Sequence, residues 1–415
     1  MIKFKTVILF VTVFSVCVFS QSSSIYSKFG VGDMNYTYSA RSLGLGKTGV
    51  GMTNRFFVET INPASLSDLK LTRFEFSLVL NGVNLTQNNI SRFYTDAEFK
   101  GFTFAFPISE KYGIGFAAGL LPYSRISYKV VNTTTKDFLE DNEYTETYEG
   151  SGGLSKLFMG SSYKTPFDWL IGASLEYYFG RRKYTSKEVF ANSEFSSGEY
   201  EWDYRSTGFG TTVGVISQNF ADVLNSKSIT NLRLGVSLNL ISDLSTDSSL
   251  TINPSSSADT VTFGNSDLHV PFRLITGITL QLSNEYTFNL DYIYQPWSNY
   301  SFNGITSPNL KDAYRIGLGF EYSPVTTLGS SKWEQIMLRA GLSYEMTQYV
   351  IKGQDIKQYS VFGGFSIPLG IGNTFDLGLQ YSIRGTTDFG LIKEDFYKIN
   401  VGLSFGELWF LRNTY

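Results

Sequence analysis

Apolar residues alternate with small, polar or charged residues from about residue 71 onward, and this pattern constrains the fold more than any other feature. Ile316, Leu318 and Phe320, for example, alternate with Arg315 and Glu321. A period of two places successive side chains on opposite faces of a β-strand. We predict fourteen such strands, centred near residues 76, 102, 117, 159, 175, 210, 237, 277, 290, 317, 341, 362, 379 and 401.

The apolar face of these segments often begins or ends with an aromatic residue and is aliphatic between. Tyr314 and Tyr322 bracket Ile316 and Leu318 in this way. Aromatic residues at both ends of an apolar band are typical of a strand that spans a bilayer. A soluble sandwich would instead place its largest apolar groups in the middle of each strand. The opposite face carries Arg, Asp, Glu and Gly, which suits a wet or plugged lumen.

The connections between the predicted strands tend to alternate between long and short. An even number of strands, with short turns on the side of both termini, is typical of an outer-membrane barrel. The alternative is a large soluble β-protein. We expect the long connections to include residues 83–94, 129–150, 181–200 and 243–267, and the short ones to include 107–111, 164–169, 283–285 and 369–373.

Composition excludes several classes of protein. One Cys and one His exclude a disulfide scaffold and a Cys/His zinc cluster. The formal net charge of −3 comes with no polybasic surface, so nucleic acid is not expected as a partner. No catalytic constellation is evident, and His269 is interpreted as a rim residue. We therefore expect neither enzymatic activity nor a metal or other cofactor.

The N-terminus has the pattern of a secretory signal peptide. Lys3 and Lys5 precede an apolar run over residues 6–20, which predicts a signal peptide at 1–20 and a mature start at Gln21. The alternative is a membrane anchor, but the run is shorter than the roughly 20 residues that a spanning helix needs. Removal of the signal peptide would leave a mature chain without cysteine, as suits an oxidising compartment.

Residues 21–70 do not alternate, and they are rich in glycine and apolar residues. We interpret them as a hatch, a plug that folds compactly inside a barrel formed by residues 71–415. The glycines at Gly44, Gly46 and Gly49 do not have the spacing of a phosphate-binding loop. The predicted fold class is therefore all-β: a 14-stranded antiparallel transmembrane β-barrel with an N-terminal hatch.

Two positions predict an irregularity in the third strand. Pro122 cannot donate a backbone hydrogen bond and Gly119 packs weakly, so a bulge or break is expected there. In one interpretation this break forms a lateral gate in the barrel wall. In the other, Pro122 only marks where the strand leaves the membrane.

Six charged residues fall on the inward face of strands ten, eleven and thirteen. Buried charges normally pair. One interpretation is therefore a salt-bridged network that holds the hatch, and the other is that some of these residues contact the carboxylate of a ligand. They are Arg315, Glu321, Arg339, Glu345, Asp376 and Arg384.

The stretch Ala40-Arg41-Ser42-Leu43-Gly44, the triplet Asn62-Pro63-Ala64 before the first strand and the fourteen strands resemble the FadL-type long-chain fatty-acid transport family. The segment from Arg384 to Glu394, followed by Leu408-Trp409-Phe410, is similar to FadL-related barrels of Bacteroidetes. The resemblance implies a monomeric barrel that takes up hydrophobic molecules and releases them sideways through a kink in strand three. It also implies that Asn62, Pro63 and Ala64 lie near that kink.

These observations together predict passive uptake of a fatty-acid-like or hydrocarbon molecule across the bacterial outer membrane, with lateral or hatch-gated release. The expected partners are outer-membrane lipid, a hydrophobic small-molecule ligand and the barrel-assembly machinery, and the expected state is a monomer. The alternative is a FadL-related partner protein in protein secretion, or a purely structural barrel, that transports nothing.

Overall fold

The computed structural model of the protein describes residues 24–88, 90–135, 143–190, 196–221, 228–254, 259–325, 331–370 and 372–407. The predicted signal peptide and Leu408, Trp409 and Phe410 lie outside these residues. Within the described ranges, no helix has the length and apolar character to cross a membrane.

One sheet contains all the described strands. The strands are β1 (Asp33–Met34), β2 (Thr72–Gln87), β3 (Ile90–Ser109), β4 (Ile114–Pro122), β5 (Ser124–Thr135), β6 (Glu143–Lys164), β7 (Leu170–Phe190), β8 (Gly198–Ile216), β9 (Ile229–Ile241), β10 (Leu244–Pro254), β11 (Asp259–His269), β12 (Arg273–Leu282), β13 (Tyr286–Gln295), β14 (Ser301–Phe302), β15 (Ile305–Thr306), β16 (Ala313–Tyr322), β17 (Met337–Ile351), β18 (Gln354–Gly370), β19 (Asn373–Arg384) and β20 (Lys393–Glu407). The helical elements are α1 (Ala40–Gly44) and five 3-10 turns at Ile25–Lys28, Pro63–Asp68, Trp297–Asn299, Lys332–Gln335 and Asp388–Gly390.

The antiparallel wall closes on itself because β20 pairs with β2 over its whole length. We call one pass of the chain along the wall a stave. Three staves are each broken into two strands: β4 and β5, β9 and β10, and β11 and β12. The described wall thus has fourteen staves, and each predicted strand centre falls within one of them. The prediction of a fourteen-stranded antiparallel barrel is confirmed.

The two faces of each stave meet different surroundings. In β16, Ile316 and Leu318 point outward and are 43% and 51% exposed, whereas Arg315 points inward and is 1% exposed. Tyrosines on neighbouring staves contact one another near one edge of this apolar band, for instance Tyr344 and Tyr359, whose ring centroids are 5.2 Å apart. An apolar band with an aromatic edge is the surface that a bilayer covers.

The prediction of long loops at 83–94, 129–150, 181–200 and 243–267 is wrong for most of these residues. The hairpin of β2 and β3 turns within residues 87–90, and β5, β6, β7, β8, β10 and β11 all continue as paired strands. These hairpins project beyond the apolar band at the end of the barrel opposite Thr72 and Glu407. Both faces of a projecting hairpin meet water, so the alternation that marks a lipid-facing strand is lost although the pairing persists.

Residues 24–71 fold inside the barrel and form its hatch. Near the projecting hairpins, Tyr26 and Val31 belong to a buried apolar cluster with Tyr349, Trp297 and Leu310. Further along the chain, the side chain of Ser39 accepts a hydrogen bond from Ser42 N at 3.1 Å and caps α1. The hatch therefore fills the lumen at more than one level.

The backbone of the hatch lies directly against the wall. Ten wall strands each carry a glycine on which a Cβ atom would lie 3.3 Å or less from a hatch atom, so a larger side chain would crowd the hatch at these positions. We call these residues the glycine ring. They are Gly115, Gly172, Gly214, Gly235, Gly277, Gly319, Gly341, Gly364, Gly378 and Gly402.

The hatch follows the inner circumference of the barrel along this ring, and it meets the staves in nearly the reverse of their chain order. Ala40 meets β19 and β20, Gly44 meets β18, Gly46 meets β17, Thr48 meets β16, Val50 meets β12 and β9, Asn62 meets β8, Ala64 meets β7 and Leu66 meets β4. Because the ten glycines lie on ten different staves, the wall as a whole fixes the position of the hatch.

Replacing Gly341 by Val tests this packing. A Cβ atom there would lie 2.6 Å from Gly46 N, so we expect the free energy of unfolding to fall by about 1–3 kcal/mol. The measurement is urea unfolding of the bilayer-inserted barrel, followed by tryptophan fluorescence. The control is Gly363→Val, because the nearest atom to a Cβ at Gly363 is 4.0 Å away. Equal stability of the two variants would contradict the tight packing of the hatch.

Candidate functional site

The third stave breaks at Tyr123, between β4, which ends at Pro122, and β5, which begins at Ser124. Tyr123 is buried in the lumen, where its ring packs edge-on against Tyr178 at a centroid distance of 5.1 Å. Gly119 lies on β4, four residues before Tyr123. A Cβ atom on Gly119 would lie 2.5 Å from Phe102 O on β3. The break directs β5 away from β3.

A gap in the wall results from this break. β3 pairs with β4 only over residues 102–109, and residues 90–101 of β3 pair only with β2 in the described part of the chain. β5 pairs with β6 on one edge, and on the other it meets the two hatch residues of β1. The outer halves of β3 and β5 are thus adjacent in chain order but are not hydrogen-bonded to each other.

Charged side chains bridge this gap. Arg125 of β5 pairs with Asp96 and with Glu98 of β3, each at 2.8 Å. Lys100 Nζ lies 3.1 Å from Glu98 Oε2 and donates to Asn35 Oδ1 of the hatch at 2.6 Å. The lining of the gap is therefore ionic, and an apolar ligand that passed through it would have to cross these pairs.

The triplet Asn62-Pro63-Ala64 begins the 3-10 turn at Pro63–Asp68. Asn62 Oδ1 accepts from Ala64 N at 3.0 Å, and Asn62 Nδ2 donates to Val50 O at 2.8 Å. The same amide reaches Val215 O of β8 and Val236 O of β9, each at 3.3 Å. The hydrogen bonds of Asn62 thus tie the hatch to the seventh stave and its neighbour β8, not to the break.

Pro63 nevertheless shares one small cavity with the third stave. This cavity of about 20 Å³ lies between the 3-10 turn and β4, where Leu66 and Leu121 line it. A second cavity, of about 60 Å³, is lined by Pro122 and Tyr123. The predicted gate residues are therefore separated into Asn62, Pro63 and Ala64 on the hatch and Gly119 and Pro122 on β4, with only small cavities beside them.

Three of the six predicted lumen charges belong to one cluster with a hatch residue, and the other three contact the hatch separately. Glu321 accepts from Arg339 Nε at 2.6 Å and from hatch residue Arg41 at 3.1 and 3.0 Å. Arg339 Nη1 also lies 3.9 Å from Asp376. These four residues constitute the central charge cluster, which joins α1 to β16, β17 and β19.

The other predicted charges contact the hatch elsewhere. Arg315 donates to the carbonyl oxygens of Gly46 and Lys47. Glu345 accepts from the hydroxyl of Tyr36 at 3.1 Å, and Arg384 pairs with Asp33 at 2.9 Å. A single network of the six residues is therefore not observed, although four of them, Arg315, Glu321, Glu345 and Arg384, bond directly to hatch atoms.

An aromatic ring completes the central cluster. Phe57 of the hatch lies beneath three guanidinium groups, with distances to its ring centroid of 4.6 Å for Arg41, 5.5 Å for Arg73 and 5.7 Å for Arg339. The negative face of an aromatic ring attracts cations, so Phe57 partly offsets the repulsion among them. Nothing in the spacing of Phe57 identified this role, because its partners are distant in sequence.

Glu59 is a further buried acid of the hatch. Its Oε2 atom lies 4.0 Å from Arg41 Nη1. Burial raises the pKa of its carboxyl to about 7, although the nearby charge of Arg41 opposes the shift. Glu59 therefore exchanges a proton near neutral pH.

In the described parts of the chain, no group of three or more His, Cys, Asp and Glu residues is arranged to hold a metal ion. Besides the two cavities already described, a polar cavity of about 50 Å³ lies between the hatch and the outer halves of β2, β3, β17, β18, β19 and β20. Each of the three cavities is much smaller than the roughly 300–1,000 Å³ of a typical ligand pocket.

The closed wall, the hatch that fills it and the broken third stave define a hatch-plugged, fourteen-stranded barrel of the bacterial outer membrane. The chain belongs to the BamG family, whose model matches residues 1–415. No protein with a curated description matches the sequence.

Solved barrels of the FadL type have a similar fold. A FadL homologue of Pseudomonas aeruginosa is 11% identical, with a TM-score of 0.60 over 90% of this chain and 98% of the other. The toluene transporter TbuX of Ralstonia pickettii is 14% identical, with a TM-score of 0.56 over 89% and 98% of the two chains. The toluene transporter TodX of Pseudomonas putida is 14% identical, with a TM-score of 0.55 over 91% and 99%. At such identities the likeness concerns the fold alone.

Sequence reasoning missed most residues that hold the hatch. The glycine ring was visible only as small residues on the inward face, and Arg41, Phe57 and Glu59 lie in a segment without periodicity. Asp96 and Arg125 fell at the ends of predicted strands, just outside the connections expected at 83–94 and 129–150. A signal did exist for the glycines, since so many small residues on the lumen side of a barrel indicate a closely packed interior.

Replacement of Glu321 by Gln should destabilise the protein by about 3–5 kcal/mol, because Arg41 and Arg339 would lose the carboxylate that pairs with both. The free energy of unfolding in urea measures this loss. Glu110→Gln is the matched control, since Glu110 pairs with Lys70 at the surface and the loss there should be below about 1 kcal/mol. If the two variants lost equal stability, the central charge cluster would not anchor the hatch.

The raised pKa of Glu59 predicts a pH dependence of stability. Its ordinary pKa of 4.5 becomes about 7 in the folded protein, so the folded state binds this proton more tightly than the unfolded chain does. The free energy of unfolding should therefore fall as the pH rises from about 4.5 to about 7, by an amount on the order of 3 kcal/mol from this group. Urea unfolding at pH 5 and pH 8 measures the slope. Glu59→Gln should remove this component, and an unchanged slope would contradict the assignment.

Proposed function

We propose that this protein is a non-conducting partner subunit of the barrel-assembly machinery of the outer membrane. The observation that carries the proposal is the glycine ring, along which atoms of the hatch pack against ten wall strands. A channel must open, and opening here would break these contacts together with the hydrogen bonds of Asn62 and Arg315. The barrel is then a rigid body whose activity lies on its surface.

Three further observations support a role outside the lumen. The central charge cluster places charges from the hatch and the wall in one buried group, and separation would leave them unpaired. Three of the cavities beside the hatch have volumes of only about 20 to 60 Å³. The family name, BamG, suggests an association with the Bam barrel-assembly machinery.

The outer edge of β3 at residues 90–101, which pairs with no other strand among the described residues, supplies a surface on which a partner could act. Backbone groups at a free strand edge are available to pair with another strand. Phe93 and Phe99 on this strand are 59% and 48% exposed, which adds apolar area beside the edge. We therefore place the contact with the machinery near the break in the third stave.

A second candidate function is passive uptake of a hydrophobic small molecule with lateral release. It is favoured by the gap between β3 and β5 and by the fold shared with proteins described as toluene transporters and a monoaromatic hydrocarbon channel. The ionic lining of the gap argues against it, because an apolar ligand gains nothing from Arg125, Asp96 and Glu98.

A disulfide between the hatch and the wall separates the two functions. A Cβ atom on Gly402 would lie 3.3 Å from Ala40 Cβ, close to the separation in a disulfide, and the mature chain has no other cysteine. We expect the oxidised Ala40→Cys/Gly402→Cys variant, as the sole copy in the cell, to maintain normal levels of other outer-membrane barrels. The single variants are the controls.

Co-purification in mild detergent supplies the second readout. We expect tagged protein to retain the central subunit of the barrel-assembly machinery in both the oxidised and reduced states. Isolation of the protein without that subunit, combined with uptake of toluene or a fatty acid that the disulfide abolishes, would reject the proposal in favour of transport.

A further inference from the structure

The polar cavity between the hatch and the wall has an unusual charge distribution. Five cationic and three acidic side chains line it, a formal excess of 5 − 3 = 2 positive charges. Its volume of about 50 Å³ is sufficient for about four water molecules or one tetrahedral oxyanion. The cations are Lys47, Lys100, Arg125, Arg384 and Lys398, and the acids are Asp33, Glu98 and Glu345.

Three of the cations are already paired. Arg125 and Lys100 share Glu98, and Arg125 also holds Asp96 behind the cavity wall. Arg384 pairs with Asp33 at 2.9 Å and lies 3.6 Å from Glu394. The remaining two cations, Lys47 and Lys398, stand outside these pairs.

Lys47 and Lys398 have no carboxylate within ion-pair distance in the described part of the chain. Their ammonium groups lie 5.7 Å from the ring centroid of Phe362 and 5.5 Å from that of Phe396, respectively. Burial, followed by repulsion from Lys398 and Arg315, lowers the pKa of Lys47 well below its usual range, and only Glu345 opposes this shift. An anion between the two lysines would remove that repulsion.

The backbone of the hatch holds Lys47 in place. Lys47 has a positive φ of 58°, its amide donates to Ser42 O at 2.8 Å and its carbonyl accepts from Arg315 at 3.3 Å. A non-glycine residue in this left-handed region has a conformational cost, which the surrounding contacts offset.

Three of the residues that line the cavity also carry a buried polar atom that has no hydrogen-bond partner in the described part of the chain. Asn35 Nδ2 is such a donor, while Asn81 Oδ1 and Gln380 Oε1 are such acceptors. A ligand with both acceptor oxygens and an O–H donor would satisfy such a set. A protonated phosphate has both, whereas sulfate at neutral pH has only acceptors.

We propose that the cavity between Lys47 and Lys398 binds a small oxyanion of the phosphate class. A bound anion would favour the charged forms of Lys47 and Lys398, and two ammonium groups match the charge of a phosphate dianion. Asn35 supplies a further donor. The side chains of Arg125, Glu98 and Lys100 line both the cavity and the gap between β3 and β5, so the phosphate is either free in solution or part of a lipid headgroup that enters through the gap. This inference does not depend on the proposed function.

The test uses the mature protein in a nonionic detergent, with ionic strength held constant by NaCl. Inorganic phosphate should raise the unfolding temperature saturably, by about 3 °C or more, and sulfate should raise it less. Equilibrium binding of radiolabelled phosphate should give one site per barrel. Lys47→Gln and Lys398→Gln should each abolish the rise, whereas Lys129→Gln, which alters the surface pair of Lys129 with Glu149, should retain it.

A second arm distinguishes the source of the phosphate. Mixed micelles containing phosphatidic acid, which carries a phosphate monoester, are compared with micelles containing phosphatidylcholine. A rise with phosphatidic acid alone that both lysine variants remove would support a lipid headgroup as the ligand. The proposal would be overturned if phosphate did not raise the unfolding temperature of the wild-type protein, or if it raised that of Lys47→Gln and Lys398→Gln equally. Heat-modified mobility in gels checks that each variant is folded.

Discussion

The direct contact between the hatch backbone and the wall is the constraint on which the rest of this structure depends. A closed barrel of fourteen staves encloses more space than its own inward side chains fill. Here the space is filled by a ribbon that follows the inner circumference, and it approaches so closely that ten strands carry glycine where it passes. Asn62 shows the result, since one amide group satisfies carbonyl oxygens of the hatch and of two wall strands. Packing and hydrogen bonding thus fix the same position of the hatch.

Burial of charge in the lumen depends on that position. Glu321 pairs with Arg41 of the hatch and Arg339 of the wall, so neither half of the cluster is complete without the other. An uncompensated charge in a dry interior is costly, whereas a paired and hydrogen-bonded one is tolerated. Phe57 and Glu59 extend the same group within the hatch. Displacement of the hatch would therefore expose apolar surface and unpaired charges at once.

The break at Tyr123 determines the shape of the wall beside the hatch. It separates β3 from β5 and leaves an opening in the wall. In this protein Arg125, Asp96 and Glu98 bridge the opening, and the chemistry of these side chains differs from that of an apolar path. Fold similarity to hydrocarbon channels thus describes the scaffold, while the side chains at the opening decide what it can admit.

The sequence by itself determined the strands that face lipid, because apolar alternation is imposed locally by the bilayer on one side of each strand. It also located the segment without alternation and the break after Pro122. The tertiary structure alone decided how far the strands continue beyond the membrane, since hairpins that meet water on both faces carry no alternation. It alone paired Arg41 with Glu321, which are 280 residues apart, and placed the glycine ring against the hatch. Such contacts depend on closure of the barrel around the hatch, and a local pattern of residues does not encode which distant groups that closure brings together.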